Sequence, residues 1–131
     1  MGSTPVTWGS RRQGAIASST YAVEFSALRT VTEEAISLRY MLRCLGCNVP
    51  VDGSCPTKVF SDSLSIIQNC QNPATDLSKK HVAISFYLVR EAIAVGIIAP
   101  YWLKGEYNIS DMMTKQIPKT QFKDHLSLIH I

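Results

Sequence analysis

Between Tyr21 and Leu45 apolar residues recur at steps of three or four: Tyr21, Phe25, Leu28, Val31, Ala35, Leu38, Leu42 and Leu45. That spacing lines one side of an α-helix. Ser18, Ser19 and Thr20 offer N-caps at its start, and Gly46 supplies a C-terminal stop. A helix over residues 20–45 cannot bury so long a stripe on itself, so the rest of the chain must provide a surface for it. The 131 residues suffice for one core, and a single domain over residues 1–131 is expected.

That surface reads as a small sheet with further helices. Residues 5–10 alternate loosely and suggest a strand, followed by a polar, basic turn at Arg11, Arg12, Gln13 and Gly14. Residues 48–56 are rich in turn formers. A short strand is expected over 57–61 and a helix over 63–71, ended by Asn72-Pro73. A third helix spans about 78–95, with Val82, Phe86, Val89 and Ile93 on one face and Gly96 behind it. Residues 97–103 form an apolar, aromatic strand, and Asn108 can cap a short helix reaching about Gln116, before Pro118. The order strand, helix, strand, helix, helix, strand, helix is an α/β layout.

Composition narrows the function. Hydrophobic residues make up 46% and charged residues 18%, a globular balance rather than a disordered one. The apolar run 92–103 is broken by Gly96 and Pro100 and is shorter than the ~20 residues a membrane span requires. A net charge of +3 permits nucleic-acid contact without specifying it. Cys44 and Cys47 make a C-x-x-C, but no second pair or histidine follows at zinc-ligand spacing, so Cys44, Cys47, Cys55 and Cys70 read as free thiols. No phosphate-binding glycine loop, dinucleotide fingerprint or G-x-S-x-G elbow occurs.

Three carboxylates stand at positions where chemistry is placed. Glu24 lies within about 60° of the stripe of the long helix, where an unpaired charge is expensive. Its bland alternative is a helix-start glutamate that favours the dipole and reaches solvent. Asp62 follows the 57–61 strand, at the end of an open α/β sheet where ligands bind, but it can equally cap the next helix. Asp111, three residues after Asn108, fits a capping box as well as a site. Three converging carboxylates would suit a hard divalent cation. Arg11, Arg12, Gln13, Lys79, Lys80 and His81 are candidate nucleic-acid contacts, against the ordinary alternative of solvated surface side chains.

Six blocks in order, Val6–Gln13, Ser18–Phe25, Phe60–Ile67, Asn72-Pro73 with Ser78–Ile84, Arg90-Glu91 and Ser110–Lys115, together resemble the C-terminal ribonuclease H domain of copia-type (Pseudoviridae) retrotransposon Pol polyproteins. Val6-Thr7-Trp8-Gly9-Ser10-Arg11-Arg12-Gln13 resembles that family's W-S-S-K-R-Q, and Ser18-Ser19-Thr20-Tyr21-Ala22-Val23-Glu24-Phe25 its S-S-T-x-A-E-Y. Phe60-Ser61-Asp62-Ser63-Leu64-Ser65-Ile66-Ile67 is similar to x-x-D-N-Q-S-A-I. Asn72-Pro73, then Ser78-Lys79-Lys80-His81-Val82-Ala83-Ile84 and Arg90-Glu91, follow N-P, T-K-H-I-D-I and R-E. Ser110-Asp111-Met112-Met113-Thr114-Lys115 matches A-D-x-L-T-K. The resemblance covers about residues 5–124 and leaves 125–131 as an unmatched tail.

The resemblance implies that Glu24, Asp62 and Asp111 are catalytic acids and metal ligands. It implies two magnesium ions, or manganese in their place, and cleavage of the RNA strand of RNA–DNA hybrids. The implied partners are the hybrid and the reverse transcriptase domain of the same polyprotein, with no membrane. The implied setting is intracellular, a cytoplasmic virus-like particle or the nucleus. The family's domain opens with two further strands, the first bearing a fourth acid that bridges the metals. The expectation is therefore a partial ribonuclease H-like fold, its first two strands missing, with a small mixed sheet and packed helices, inactive alone. Ser63-Leu64 stands where the family has Asn-Gln, a mark of sequence drift. The alternatives are a non-catalytic nucleic-acid-binding module and a decayed remnant of the element.

Overall fold

The structure, a computed structural model, describes Thr7, Gly9, residues 20–72 and residues 83–129. In chain order the elements are α1 (Thr20–Cys44), β1 (Thr57–Ser61), α2 (Leu64–Gln71), α3 (Ala83–Ala94) and β2 (Ile98–Trp102). A 3₁₀ turn (Gly105–Tyr107), α4 (Asp111–Thr114) and α5 (Lys119–Ile129) follow. The chain forms two compact units, one of residues 16–102 and one of residues 1–15 with 103–131. Among the described residues no helix is long and apolar enough to cross a membrane.

In the larger unit β1 and β2 pair in parallel, Thr57 opposite Ile98 and Ser61 opposite Trp102. Parallel strands need a long crossover, and α2 and α3 lie within it. The expected strand over residues 5–10 lies outside the described residues except for Thr7 and Gly9, which are exposed and in no regular element. The core joins Phe25 and Leu28 of α1 to Val59, Ile66, Cys70, Phe86, Val89 and Ile98. The rings of Phe25 and Phe86 meet at 5.6 Å between centroids.

The buried face of α1 differs from the expected stripe. It runs Ala22, Phe25, Leu28, Thr32, Ala35 and Arg39, whereas Val31 is 45% and Leu45 79% exposed. The two faces share Phe25, Leu28 and Ala35, but the observed one is rotated by about 60°, because Ala22, Thr32 and Arg39 complete it and an apolar pattern counts neither the threonine nor the arginine. Leu45 lies past the last residue of the helix. Thr32 tolerates burial because its hydroxyl donates to the Leu28 carbonyl at 2.8 Å. Arg39 tolerates it by donating to the carbonyls of Pro50 at 2.7 Å and Cys55 at 2.8 Å. The arginine thereby ties the loop before β1 to α1.

Both long helices end in the same way. After α1, Gly46 N–H donates to Arg43 O and Cys47 N–H to Leu42 O; after α3, Gly96 N–H donates to Ile93 O and Ile97 N–H to Ala92 O. Each glycine has a positive φ, as this stop requires. Gly96 is constrained a second time. A Cβ on it would stand 2.6 Å from Gly53 Cα, and one on Gly53 would stand 2.8 Å from Val95 O. The loop after α1 and the turn after α3 thus touch backbone to backbone at the N-terminal ends of the two strands. Just beyond, Thr57 N–H donates to Ile97 O at 2.9 Å.

In the smaller unit, α5 occupies residues that the sequence reading left without an element. His125 is only 2% exposed, and its Nε2 lies 2.9 Å from the Glu106 carbonyl, which also accepts from Gln121. Asn108 does not cap α4. The cap position is Ser110, and Asn108 Oδ1 accepts instead from Ser110 N–H at 3.2 Å.

Candidate functional site

β1 carries its last core residue at Val59 and ends at Ser61, so the chain leaves the sheet edge-on at Asp62, which is exposed. Asp62 is held through its backbone: Trp102 Nε1–H, from the matching end of β2, donates to the Asp62 carbonyl at 3.2 Å. Ser63 N–H donates to Ser61 Oγ at 3.2 Å and starts α2. The Asp62 side chain is thus presented at the C-terminal end of a parallel pair, where peptide dipoles and free loop geometry favour ligand sites.

Glu24 reaches the same end of the sheet from α1. Its Oε2 accepts a hydrogen bond from Ser63 Oγ at 2.6 Å, across 39 residues of sequence. Such a short O–H···O distance belongs to a hydroxyl donating to a carboxylate. Glu24 is half-buried, about 80° around the helix from the middle of the observed core face. Its place is the shoulder of the helix, not the centre of the stripe where the sequence pattern put it. The larger unit therefore brings Glu24 to the residue adjoining Asp62.

Asp111 belongs to the other unit, as the first residue of α4. Both of its oxygens are engaged locally: Oδ1 with Asn108 Nδ2 at 3.4 Å, and Oδ2 with Lys115 Nζ at 3.1 Å. Its side chain is 14% exposed. Arg11, Arg12, Gln13, Lys79, Lys80 and His81 lie outside the described residues. Within neither unit do three or more described His, Cys, Asp or Glu side chains gather closely enough to hold a metal ion. All four cysteines are free; Cys44, Cys47 and Cys55 are exposed and Cys70 is buried. Burial pushes the Cys70 thiol up to about 12, with the Arg90 charge offsetting part of the rise.

Two residues at this end of the larger unit escaped the sequence reading. Ser63 looked like drift, and its partner on α1 is too distant in sequence for any spacing rule to find. Trp102, in the strand expected to be apolar and aromatic, is 49% exposed and bonded to the site's backbone. An aromatic residue near the C-terminal end of that strand was the available signal.

No family model matches the chain, and no solved structure matches it. It is similar to the retrovirus-related Pol polyprotein from transposon RE1 of Arabidopsis thaliana, 22% identical over 131 residues, all of this chain and 9% of that protein. The polyprotein from transposon RE2 of the same plant is 21% identical over 95% of the chain and 8% of its own length. The polyprotein from transposon TNT 1-94 of Nicotiana tabacum is 26% identical over 90% of the chain and 8% of its own length. The chain thus spans less than a tenth of the length of these curated relatives, and what it is similar to in each is one short stretch of a retrovirus-related Pol polyprotein.

Proposed function

We propose that this chain is part of a ribonuclease H-like nuclease within a retrotransposon Pol polyprotein, acting on the RNA strand of RNA–DNA hybrids. The observation that carries the reading is the Ser63–Glu24 bond, which brings a helix carboxylate to the residue beside Asp62 at the C-terminal end of β1. Those are two of the three acids singled out by the motif resemblance, on separate elements.

The donor chemistry fits magnesium or manganese, since hard dications take carboxylate oxygens. The Ser63 bond engages Oε2 of Glu24 and not Oε1. By the motif resemblance Glu24, Asp62 and Asp111 are each proposed ligands; a bound ion would supply an activated water and a charge to offset the leaving oxygen. The protein's own share is positional. Trp102 fixes the backbone at Asp62, Ser63 orients Glu24, and the core beneath keeps α1 and β1 in register. Arg11, Arg12, Gln13, Lys79, Lys80 and His81 are proposed phosphate contacts, and the setting is proposed to be intracellular.

The chain spans less than a tenth of its relatives' length, so the reading is tested both on these 131 residues and on a longer piece of polyprotein. The test is cleavage of a labelled hybrid in magnesium and in manganese, by this chain and by one extended upstream with polyprotein sequence. Cleavage that is lost in Glu24→Gln and Asp62→Asn is the expected result. Salt-dependent hybrid binding without cleavage by either chain would favour a non-catalytic binding module.

A further inference from the structure

Ser63 stands at the N-cap position of α2, where a serine ordinarily accepts from the helix's free N–H groups; here it makes no side-chain capping bond. Its hydroxyl donates instead to Glu24 Oε2 at 2.6 Å. Ser65 Oγ lies 3.3 Å from Ser63 Oγ. A hydroxyl has one proton, and Ser63 commits it to the carboxylate, so Ser65 is the donor in that contact. The two serines form a short chain running Ser65 to Ser63 to Glu24, each link polarising the next. The capping bond that a serine usually makes at this position is given up for it.

We propose that Ser63 is a positioning residue: its hydroxyl fixes the rotamer of Glu24 and leaves Oε1 to face a divalent cation. This rests on the metal-dependent nuclease reading above. It also gives the Ser63 substitution a purpose. Asparagine at this position would offer an amide donor, and serine offers a hydroxyl to the same carboxylate. Partners that orient a metal-binding carboxylate matter for metal affinity roughly tenfold or more.

The experiment measures Mn²⁺ binding alone, by calorimetry on the full 131-residue chain, for the wild type, Ser63→Ala, Ser63→Thr and Glu24→Gln. A second readout, free of metal, is the carboxyl ¹³C shift of Glu24 in glutamate-labelled protein. Ser63→Ala is expected to weaken Mn²⁺ about tenfold and to move the Glu24 signal. Ser63→Thr, which keeps the hydroxyl, should restore both. Ser63→Ala loses the bond to Glu24 but no capping bond, so its thermal midpoint should fall by roughly 3–8 °C while the chain stays folded. Wild-type Mn²⁺ affinity in Ser63→Ala, with binding lost in Glu24→Gln, overturns the positioning role and leaves the nuclease reading standing. Equal losses in Ser63→Ala and Ser63→Thr overturn it as well, since the hydroxyl is then not the cause. If Glu24→Gln matches the wild type, Glu24 is no ligand, and both readings fall.

Discussion

Arg39 shows how a single side chain can be invisible in a pattern and decisive in a fold. It lies one position from Leu38 of the expected stripe, yet it is 8% exposed and bridges two carbonyls 11 and 16 residues onward. Hydrophobic periodicity sees only apolar residues, so a buried arginine whose guanidinium is hydrogen-bonded to the backbone escapes it. Lysine keeps the charge but lacks the fork that reaches both oxygens. Arg39→Lys should therefore cost about 1–3 kcal/mol in urea unfolding; an unchanged midpoint would mean the bridge contributes nothing. Cys70 allows a pH prediction. Its folded pKa is raised from 9.0 to about 12, and burial also raises Tyr21, with Cys70 adding to the rise and an Asn69 hydrogen bond opposing it. The native state then holds protons that the unfolded chain releases. The stabilisation is complete below pH 9 and is lost as pH climbs toward 12. Thermal midpoints should fall across that window, less steeply in Cys70→Ala. At pH 8 a thiol reagent should titrate the exposed Cys44, Cys47 and Cys55 in the native chain and reach Cys70 only on unfolding.

Among the elements, β1 falls where the alternation and flanking turn formers put it, and β2 is shorter than expected by one residue at each end. Strands this short are bounded by strong local signals, so they were legible. The phase of α1 was not, because Thr32 and Arg39 complete its buried face and a pattern of apolar residues counts neither. Leu45→Ser should thus change stability by no more than about 0.5 kcal/mol, whereas Phe25→Ala should cost about 3–5 kcal/mol. Comparable losses at both positions would restore the stripe that the sequence suggested. Gly96 was legible as a helix stop but not as half of a backbone contact with Gly53, since nothing in either local sequence names the other. Gly96→Ala should cost more than the ~1 kcal/mol of an ordinary positive-φ glycine, while Gly46→Ala, with nothing within 4 Å of its Cβ, should show that ordinary cost alone.

For the molecule as a whole, the motif order pointed to a Pol polyprotein, and similarity to three such proteins supports that level of description. The site was legible in part. Glu24 and Asp62 could be named from position, but their common end of the sheet depends on a bond between residues 39 apart. Asp111 could equally be a structural helix-start residue, and its contacts to Asn108 and Lys115 lie within its own unit. In the upstream-extended chain, Asp111→Asn should cut hybrid cleavage at least about a hundredfold if it holds metal; full activity would leave it a purely structural residue. The Trp102 indole, bonded to the Asp62 carbonyl, has an optical consequence. The chain has two tryptophans, so Trp8→Phe leaves a single tryptophan, excitable apart from the tyrosines at the long-wavelength edge of aromatic absorption, seated on the backbone beside Asp62. Half exposed and held by one hydrogen bond, it should redden at lower urea than that at which the helical signal disappears. The end of the sheet that bears the acids would then open and reclose many times for each complete unfolding of the chain.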